Sequence, residues 1–148
     1  YHHVHHSILP PCHTLHYLQM STEKLAKAAL MAGGMKPDEI GNSHLAFSKF
    51  LHLAFRNRNL RLEMGMSGAQ LRMHFAHLLP LADAIERLAP ALSRGGINPE
   101  YPWEEPNGIV HTPAIYQFKL AQDLSTPKGV NLLKDIGLML KNFEKLFG

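Results

Sequence analysis

Apolar residues recur along the chain at intervals of three and four, which is the spacing of one buried face of an α-helix. The pattern predicts four amphipathic helices, over residues 11–33, 43–57, 67–93 and 126–147. The apolar face of the first helix consists of Leu15, Leu18, Thr22, Leu25 and Ala29. That of the second consists of Leu45, Phe47, Phe50, Leu51, Ala54 and Phe55. That of the third consists of Leu71, Phe75, Leu78, Ala82, Ile85, Leu88 and Leu92. That of the fourth consists of Val130, Leu133, Ile136, Leu140, Phe143 and Phe147.

These faces predict which substitutions destabilise the protein. Leu78 belongs to the third face and Leu133 to the fourth, so replacing either by alanine is expected to cost about 2–5 kcal/mol. Pro80 falls inside the third helix, where it removes an amide donor and presses on the carbonyl group of Ala76. A kink is therefore expected there.

Polar residues mark where the helices begin. Asn42 or Ser43 can cap the second helix, and Thr126, followed by Pro127, can cap the fourth. Each of these side chains can accept a hydrogen bond from an amide of the first turn that has no partner within the helix.

The connection between the third and fourth helices is less regular. Residues 93–110 are rich in glycine and proline and predict a long, ordered loop that Tyr101 and Trp103 anchor. Residues 112–124 fit either a short helix or an extended segment.

Together these elements predict an all-α, up-and-down bundle of four main helices, with a short fifth helix as an option. The 148 residues, 45% of them hydrophobic and 18% charged, suit one domain over residues 1–148. No apolar run is long enough to span a membrane, and residues 1–13 lack the features of a signal peptide. The single cysteine excludes an internal disulfide, so a cytoplasmic location is expected.

The formal charge of +3 and the eleven histidines are compatible with a polyanionic partner. The densest basic segment is FRNRNLR, residues 55–61, whose Arg56, Arg58 and Arg61 are candidates for binding phosphates. The alternative is that these cations lie where a helix ends and simply complement its dipole.

The third helix carries a second candidate site in the segment RMHFAH. Arg72 and His77 could cleave RNA without a metal, because histidine can transfer protons near neutral pH while a guanidinium stabilises the phosphate. The alternative is that Arg72 is a solvated cation and His77 a half-buried neighbour of Leu81 and Ala84. Five residues along a helix correspond to about 140° of rotation, which separates the two side chains and favours this alternative.

The first residues, HHVHH, together with His13 and His16, form the densest set of potential metal ligands. They lack a neighbouring carboxylate or a second cysteine, so no metal site is predicted. The sequence also lacks a glycine-rich phosphate loop and a Gly-x-Ser-x-Gly motif, and no cofactor is predicted.

The segments LHYLQMSTEKLAKAALMAGG and NSHLAFSKFL resemble the HEPN family (higher eukaryotes and prokaryotes nucleotide-binding domains). The resemblance of the second segment rests on His44 and Leu45, which open the second helix. The INPEYPWE loop also lies where many members carry a Tyr-Pro segment. The resemblance of the first segment, LHYLQMSTEKLAKAALMAGG, rests on Gln19, Glu23, Lys24, Lys27 and Ala28.

This resemblance implies a helical bundle that forms a homodimer in a bacterial or archaeal cytoplasm. Members include metal-independent ribonuclease toxins of toxin–antitoxin systems and partners of small nucleotidyltransferases. Arg72 and His77 match the spacing of the active members, whereas Met73 stands where those members often carry a polar residue. We therefore expect a non-catalytic interaction module, or one that binds nucleotides or nucleic acid; the alternative is a ribonuclease that uses Arg72 and His77.

Overall fold

The computed structural model describes residues 9–41 and 44–148, and these are mostly α-helical. The longer helices are α1 (Pro11–Ala32), α3 (Ala46–Leu53), α5 (Gly68–Glu86) and α8 (Pro127–Lys141). A 3-10 turn, η1 (Ala54–Arg56), continues α3. The shorter elements are α2 (Pro37–Ile40), α4 (Arg58–Met64), α6 (Pro90–Ser93), β1 (Trp103–Glu104), β2 (Val110–His111), α7 (Lys119–Leu124) and α9 (Phe143–Phe147).

The core lies between α1, α3 and α5, with α7, α8 and α9 closing it. Phe47, Leu51 and Phe75 lie at its centre, and their side chains are almost completely buried. At one edge Gly129, in the first turn of α8, lies against the backbone of α7. A Cβ atom there would come within 2.4 Å of the Asp123 carbonyl oxygen, so this close approach requires glycine. Glycine thus sets how closely α7 and α8 pack.

The first two predicted helices are present, with one difference. Helix α1 matches the predicted range of 11–33 to within a residue at its end. The second helix is shorter than predicted, because regular α-helix begins at Ala46 and gives way to η1 at Ala54. Asn42 and Ser43, the predicted caps, lie outside the described residues. The residue at the cap position is Leu45, which is exposed and therefore does not belong to the buried face as predicted.

The third predicted helix is divided in two. Ser67 caps α5 by accepting a hydrogen bond from the Gln70 amide, and Pro80 lies inside the helix without ending it. The helix stops at Glu86 rather than at residue 93, and a separate turn, α6, begins at Pro90. Proline disfavours helical geometry in the residue before it, and Ala89 accordingly has an extended conformation.

The fourth predicted helix is also divided, at Asn142. Thr126 caps α8 as predicted, by accepting a hydrogen bond from the Gly129 amide. The Asn142 side chain donates to the Leu138 carbonyl oxygen, and Asn142 leaves helical geometry. An asparagine side chain that bonds the backbone in this way competes with regular helix. The remaining residues form α9.

The buried face of α8 was predicted wrongly at three positions. Val130, Leu133 and Leu140 are exposed, and Leu133 keeps 39% of its surface accessible. The buried face of α8 consists instead of Leu132, Ile136 and Met139 together with Gly129. The expected cost of about 2–5 kcal/mol for Leu133→Ala is therefore withdrawn, because it assumed a fully buried side chain.

Residues 94–118 form the predicted loop around a small antiparallel hairpin of β1 and β2. Trp103 is 6% exposed, and its ring stacks with His111 and meets Tyr116 edge-on. Tyr101, the second predicted anchor, is 59% exposed and does not serve as one. The ambiguous segment at 112–124 is irregular up to Phe118 and then forms α7.

In the described part of the chain, every helix is too short or too polar to cross a membrane.

Candidate functional site

A basic recess lies where η1 meets α5. Two arginines from different elements flank one ring there: the guanidinium carbons of Arg56 and Arg72 lie 5.7 and 5.6 Å from the centre of the Phe55 ring. His52, one turn before Arg56, lines the same pocket, whose volume is about 450 Å³. Three groups that are charged or can become charged thus converge on one recess.

The local backbone explains this arrangement. The change from α-helix to 3-10 helix at Ala54 occurs while Ala54 itself stays buried in the core. Phe55 is half-buried and Arg56 is exposed, so the ring is held by the core while the guanidinium groups that contact it lie at the surface. Contact with an aromatic face orients a guanidinium and leaves its N–H groups available.

Neither arginine has an acidic partner among residues 9–41 and 44–148. The carboxylates that form ion pairs there contact other cations: Arg87, Lys27, Lys119, Lys145 and four histidines. His52 is likewise free of an acidic partner in that part of the chain. The positive charge of the pocket is therefore not neutralised from within the described structure, which favours an anionic ligand.

The predicted pair Arg72 and His77 is placed on one helix, with both side chains exposed. Arg72 lines the basic pocket, but His77 is not among the residues that line it. The sequence-based catalytic role of the pair stays a prediction. The histidine that accompanies Arg72 in the pocket is His52.

The three arginines of FRNRNLR have different surroundings in the structure. Arg56 lines the basic pocket, whereas Arg58 is exposed beside a recess of about 250 Å³ near the end of α9. Arg61 is half-buried against Gly68, and its Nε atom has no hydrogen-bond partner among the described residues. Of the three predicted phosphate-binding arginines, Arg56 is the one that lines the basic pocket with Arg72, and the phosphate-binding role of all three stays a prediction.

A second polar cluster links α1 to the segment before α3. The Glu23 carboxylate accepts hydrogen bonds from Gln19 at 2.9 Å and Lys27 at 2.6 Å, and His44 Nδ1 lies 3.0 Å from it. Burial raises the pKa of Glu23, but the hydrogen bonds from Lys27, His44 and Gln19 outweigh it and bring the pKa below 4.5. Glu23 is therefore ionised in the folded protein and holds these groups together.

The lowered pKa of Glu23 predicts how the stability of the fold depends on pH. A carboxyl group with a lowered pKa in the folded state stabilises the protein above its unfolded pKa, and this contribution is lost as the pH falls through the folded value. Lys27→Ala should raise the pKa of Glu23, whereas Lys24→Ala, which removes an exposed cation next to Glu23 in the sequence that is not among its hydrogen-bond partners, should raise it much less. Carboxyl-carbon NMR titration measures both; an equal shift in the two variants would mean that Lys27 has no specific role.

A third polar contact, between α5 and α8, is not among the sequence-based predictions. His74 Nε2 lies 2.6 Å from Asp135 Oδ2. Burial raises the pKa of Asp135 above 3.8, although the contact with His74 opposes this rise. The two residues are 61 positions apart, so periodicity within either helix could not reveal the pair.

The predicted metal-ligand candidates are only partly within the described residues. His2, His3, His5 and His6 lie outside them. His13 is exposed, and His16 Nδ1 lies 3.2 Å from Glu100 Oε1 without the geometry of a hydrogen bond. Among the described residues no group of three histidine, cysteine or acidic side chains could hold a metal ion.

Comparisons with known protein families, with curated proteins and with solved structures found no match.

Proposed function

We propose that this chain is a non-catalytic helical module that binds RNA or a nucleotide through phosphate groups in the basic pocket of His52, Arg56 and Arg72. The observation that carries the proposal is the pair of arginines held over the Phe55 ring without an acidic partner in the described structure. Guanidinium groups form paired, charge-assisted hydrogen bonds with phosphate oxygens.

The first test is binding of a short, labelled single-stranded RNA, measured by fluorescence anisotropy at several salt concentrations. Arg56→Ala and Arg72→Ala should each weaken binding by about tenfold. Each should also reduce the slope of log affinity against log salt by about 0.7, the contribution of one phosphate contact on a single strand.

Arg87→Ala is the matched control, since it removes one positive charge from an exposed pair with Asp83, outside the pocket. Equal losses in all three variants would reduce the effect to net charge and contradict a specific pocket.

The alternative, a metal-independent ribonuclease that uses Arg72 and His77, is separated from this proposal by the same RNA. Under the proposal the RNA stays intact in the presence of EDTA. Cleavage that persists in EDTA and disappears in His77→Ala would contradict the non-catalytic proposal and support the ribonuclease.

We also propose that the chain belongs to the HEPN family and has an up-and-down arrangement of four helices. Gln19, Glu23, Lys27 and His44, on which the resemblance partly rests, form one hydrogen-bonded cluster, and this supports the assignment. A cytoplasmic location and a nucleotidyltransferase-type partner protein belong to the same proposal.

A homodimer is also part of the proposal. The exposed apolar side chains of Val130, Leu133 and Leu140 recur along one face of α8, and Gly137 between them leaves that face open. Burying such a stripe against a second copy would remove it from water. Light scattering should then give twice the chain mass of 16.6 kDa at micromolar concentration, whereas the single mass would contradict the dimer.

A further inference from the structure

An apolar pocket of about 400 Å³ lies beside the basic one and shares two residues with it. Leu53 and Arg56 line both pockets, so one wall separates them. The rest of the apolar pocket is lined largely by hydrophobic side chains: Leu30, Met35, Phe50 and Phe147. Its volume is within the range of about 300–1,000 Å³ that is typical of small-molecule sites.

The polar groups of the apolar pocket, apart from Arg56, are largely engaged within the protein. Asn57 accepts from the Leu60 amide and donates to the Leu146 carbonyl oxygen. Glu39 accepts from the Lys36 amide, and the Lys49 ammonium group lies 3.2 Å from the Glu39 carbonyl oxygen. The amides of Gly33 and Gly34 donate to carbonyl groups of α1. The cationic group among the residues that line this pocket is the Arg56 guanidinium, whereas the Glu39 carboxylate, which accepts from a backbone amide, is its acidic group.

We infer that the two pockets form one site for an amphipathic anion, with the acidic group on Arg56 and Arg72 and an unbranched aliphatic chain in the apolar pocket. This inference rests on the proposed function, because it uses the same arginines, and it adds a second determinant of the ligand. A carboxylate or a phosphate monoester carried on such a chain matches both halves of the site.

The mostly hydrophobic lining of the apolar pocket favours an aliphatic chain over a polar ring as its occupant. A nucleobase carries several hydrogen-bonding groups along its edge, and burial without partners disfavours each of them. The amides of Gly33 and Gly34, and one donor and one acceptor position of the Asn57 side chain, already bond within the protein, so few groups of this pocket remain to pair with a base edge. An aliphatic chain needs no such partners and gains from each buried methylene group.

The experiment compares ligands by calorimetry on the full chain: butanoate, octanoate, octyl phosphate, inorganic phosphate and octanol. Each buried methylene group tightens binding by about fourfold, so octanoate, whose chain is four methylene groups longer than that of butanoate, should bind at least about tenfold more tightly even if only about two of them are buried. Octyl phosphate should exceed inorganic phosphate in the same way. Octanol lacks the acidic group and should bind more weakly than octanoate. Equal affinities of butanoate and octanoate would overturn the inference.

Gly33→Leu tests the location of the chain. Gly33 lines the apolar pocket and has φ −75°, a conformation open to leucine, and its Cβ would make only ordinary contacts. This variant should abolish the preference for octanoate over butanoate while leaving RNA affinity unchanged. Ala28→Leu, an exposed position on the same helix outside the pocket, is the control and should change neither.

Three further outcomes separate this inference from the proposed function. A chain-length preference that survives Gly33→Leu would place the aliphatic chain elsewhere on the protein and overturn the inference. Loss of the preference in Gly33→Leu but not in Ala28→Leu, together with weaker binding of both acids in Arg56→Ala, supports it. RNA binding that depends on Arg56 and Arg72 without any chain-length effect would overturn the inference and leave phosphate binding in place.

Discussion

Replacing Leu78 by alanine is expected to lower the free energy of unfolding by about 2–5 kcal/mol. Leu78 is 3% exposed and lies on the face of α5 that packs into the core. Truncation removes buried apolar atoms and leaves a cavity that the surrounding helices fill only partly. Urea denaturation followed by circular dichroism measures the loss, with the slope of the transition confirming that compactness is unchanged.

Leu133→Ala is the control, since it removes the same atoms from a side chain that keeps 39% of its surface accessible. Its cost in the monomer should stay below about 1 kcal/mol. At a protein concentration where light scattering gives the single chain mass of 16.6 kDa, a loss as large as that of Leu78→Ala would contradict the position of α8 in the structure. A loss below about 0.5 kcal/mol for Leu78→Ala would likewise contradict the packing of α5.

Replacing Glu86 by alanine is expected to cost about 2–4 kcal/mol, because its carboxylate caps α3 from outside that helix. Glu86 is 2% exposed and accepts hydrogen bonds from the Ser48 amide at 2.9 Å and the Ser48 hydroxyl at 2.6 Å. The Ser48 amide belongs to the first turn of α3, where amides have no partner within the helix. Truncation leaves this buried donor without its acceptor, and chemical denaturation measures the loss.

Two variants control this result. Glu86→Gln keeps an oxygen for the Ser48 amide, so it should cost no more than about 1 kcal/mol. Asp83→Ala, one turn earlier, breaks the exposed pair with Arg87 and relieves the repulsion between Asp83 and Glu86, so its cost should stay within about 0.5 kcal/mol. A loss for Glu86→Ala as small as that for Asp83→Ala would show that α3 needs no cap from α5.

The pH dependence of Glu86 has the opposite sign to that of Glu23. Burial raises the pKa of Glu86 above 4.5, although the hydrogen bonds from Ser48 oppose the rise. Between the unfolded and the folded pKa the folded state binds more protons, so this group's contribution to stability falls as the pH rises through that window. Glu86→Gln should therefore gain stability relative to the unsubstituted protein as the pH rises above 4.5.

The sequence predicted those elements whose pattern had a single solution. On α5 the residues Leu71, Phe75, Leu78, Ala82 and Ile85 are all buried, because the opposite face is polar and only one orientation covers the apolar stripe. On α8 two apolar stripes compete, one through Leu132 and Ile136 and one through Val130 and Leu133. Periodicity alone cannot choose between them, and the contacts of α8 with α7 and α5 decide.

The candidate site was predictable only in part, for a related reason. Arg56 and Arg72 were identified separately, each from its neighbours in the sequence. Their shared contact with Phe55 depends on how η1 packs on α5, which no local pattern encodes. The pairing of Arg72 with His77 followed sequence spacing, whereas the pocket brings Arg72 together with His52.

The most direct test of phosphate binding is an NMR titration of the arginine side chains with the short single-stranded RNA. The Nε–H signals report each guanidinium separately once the arginine variants assign them. If RNA binds in the basic pocket, the signals of Arg56 and Arg72 should shift together as RNA is added, while that of Arg87 stays in place. Equal shifts across all the arginines, or shifts at Arg58 without Arg56 and Arg72, would contradict binding in this pocket.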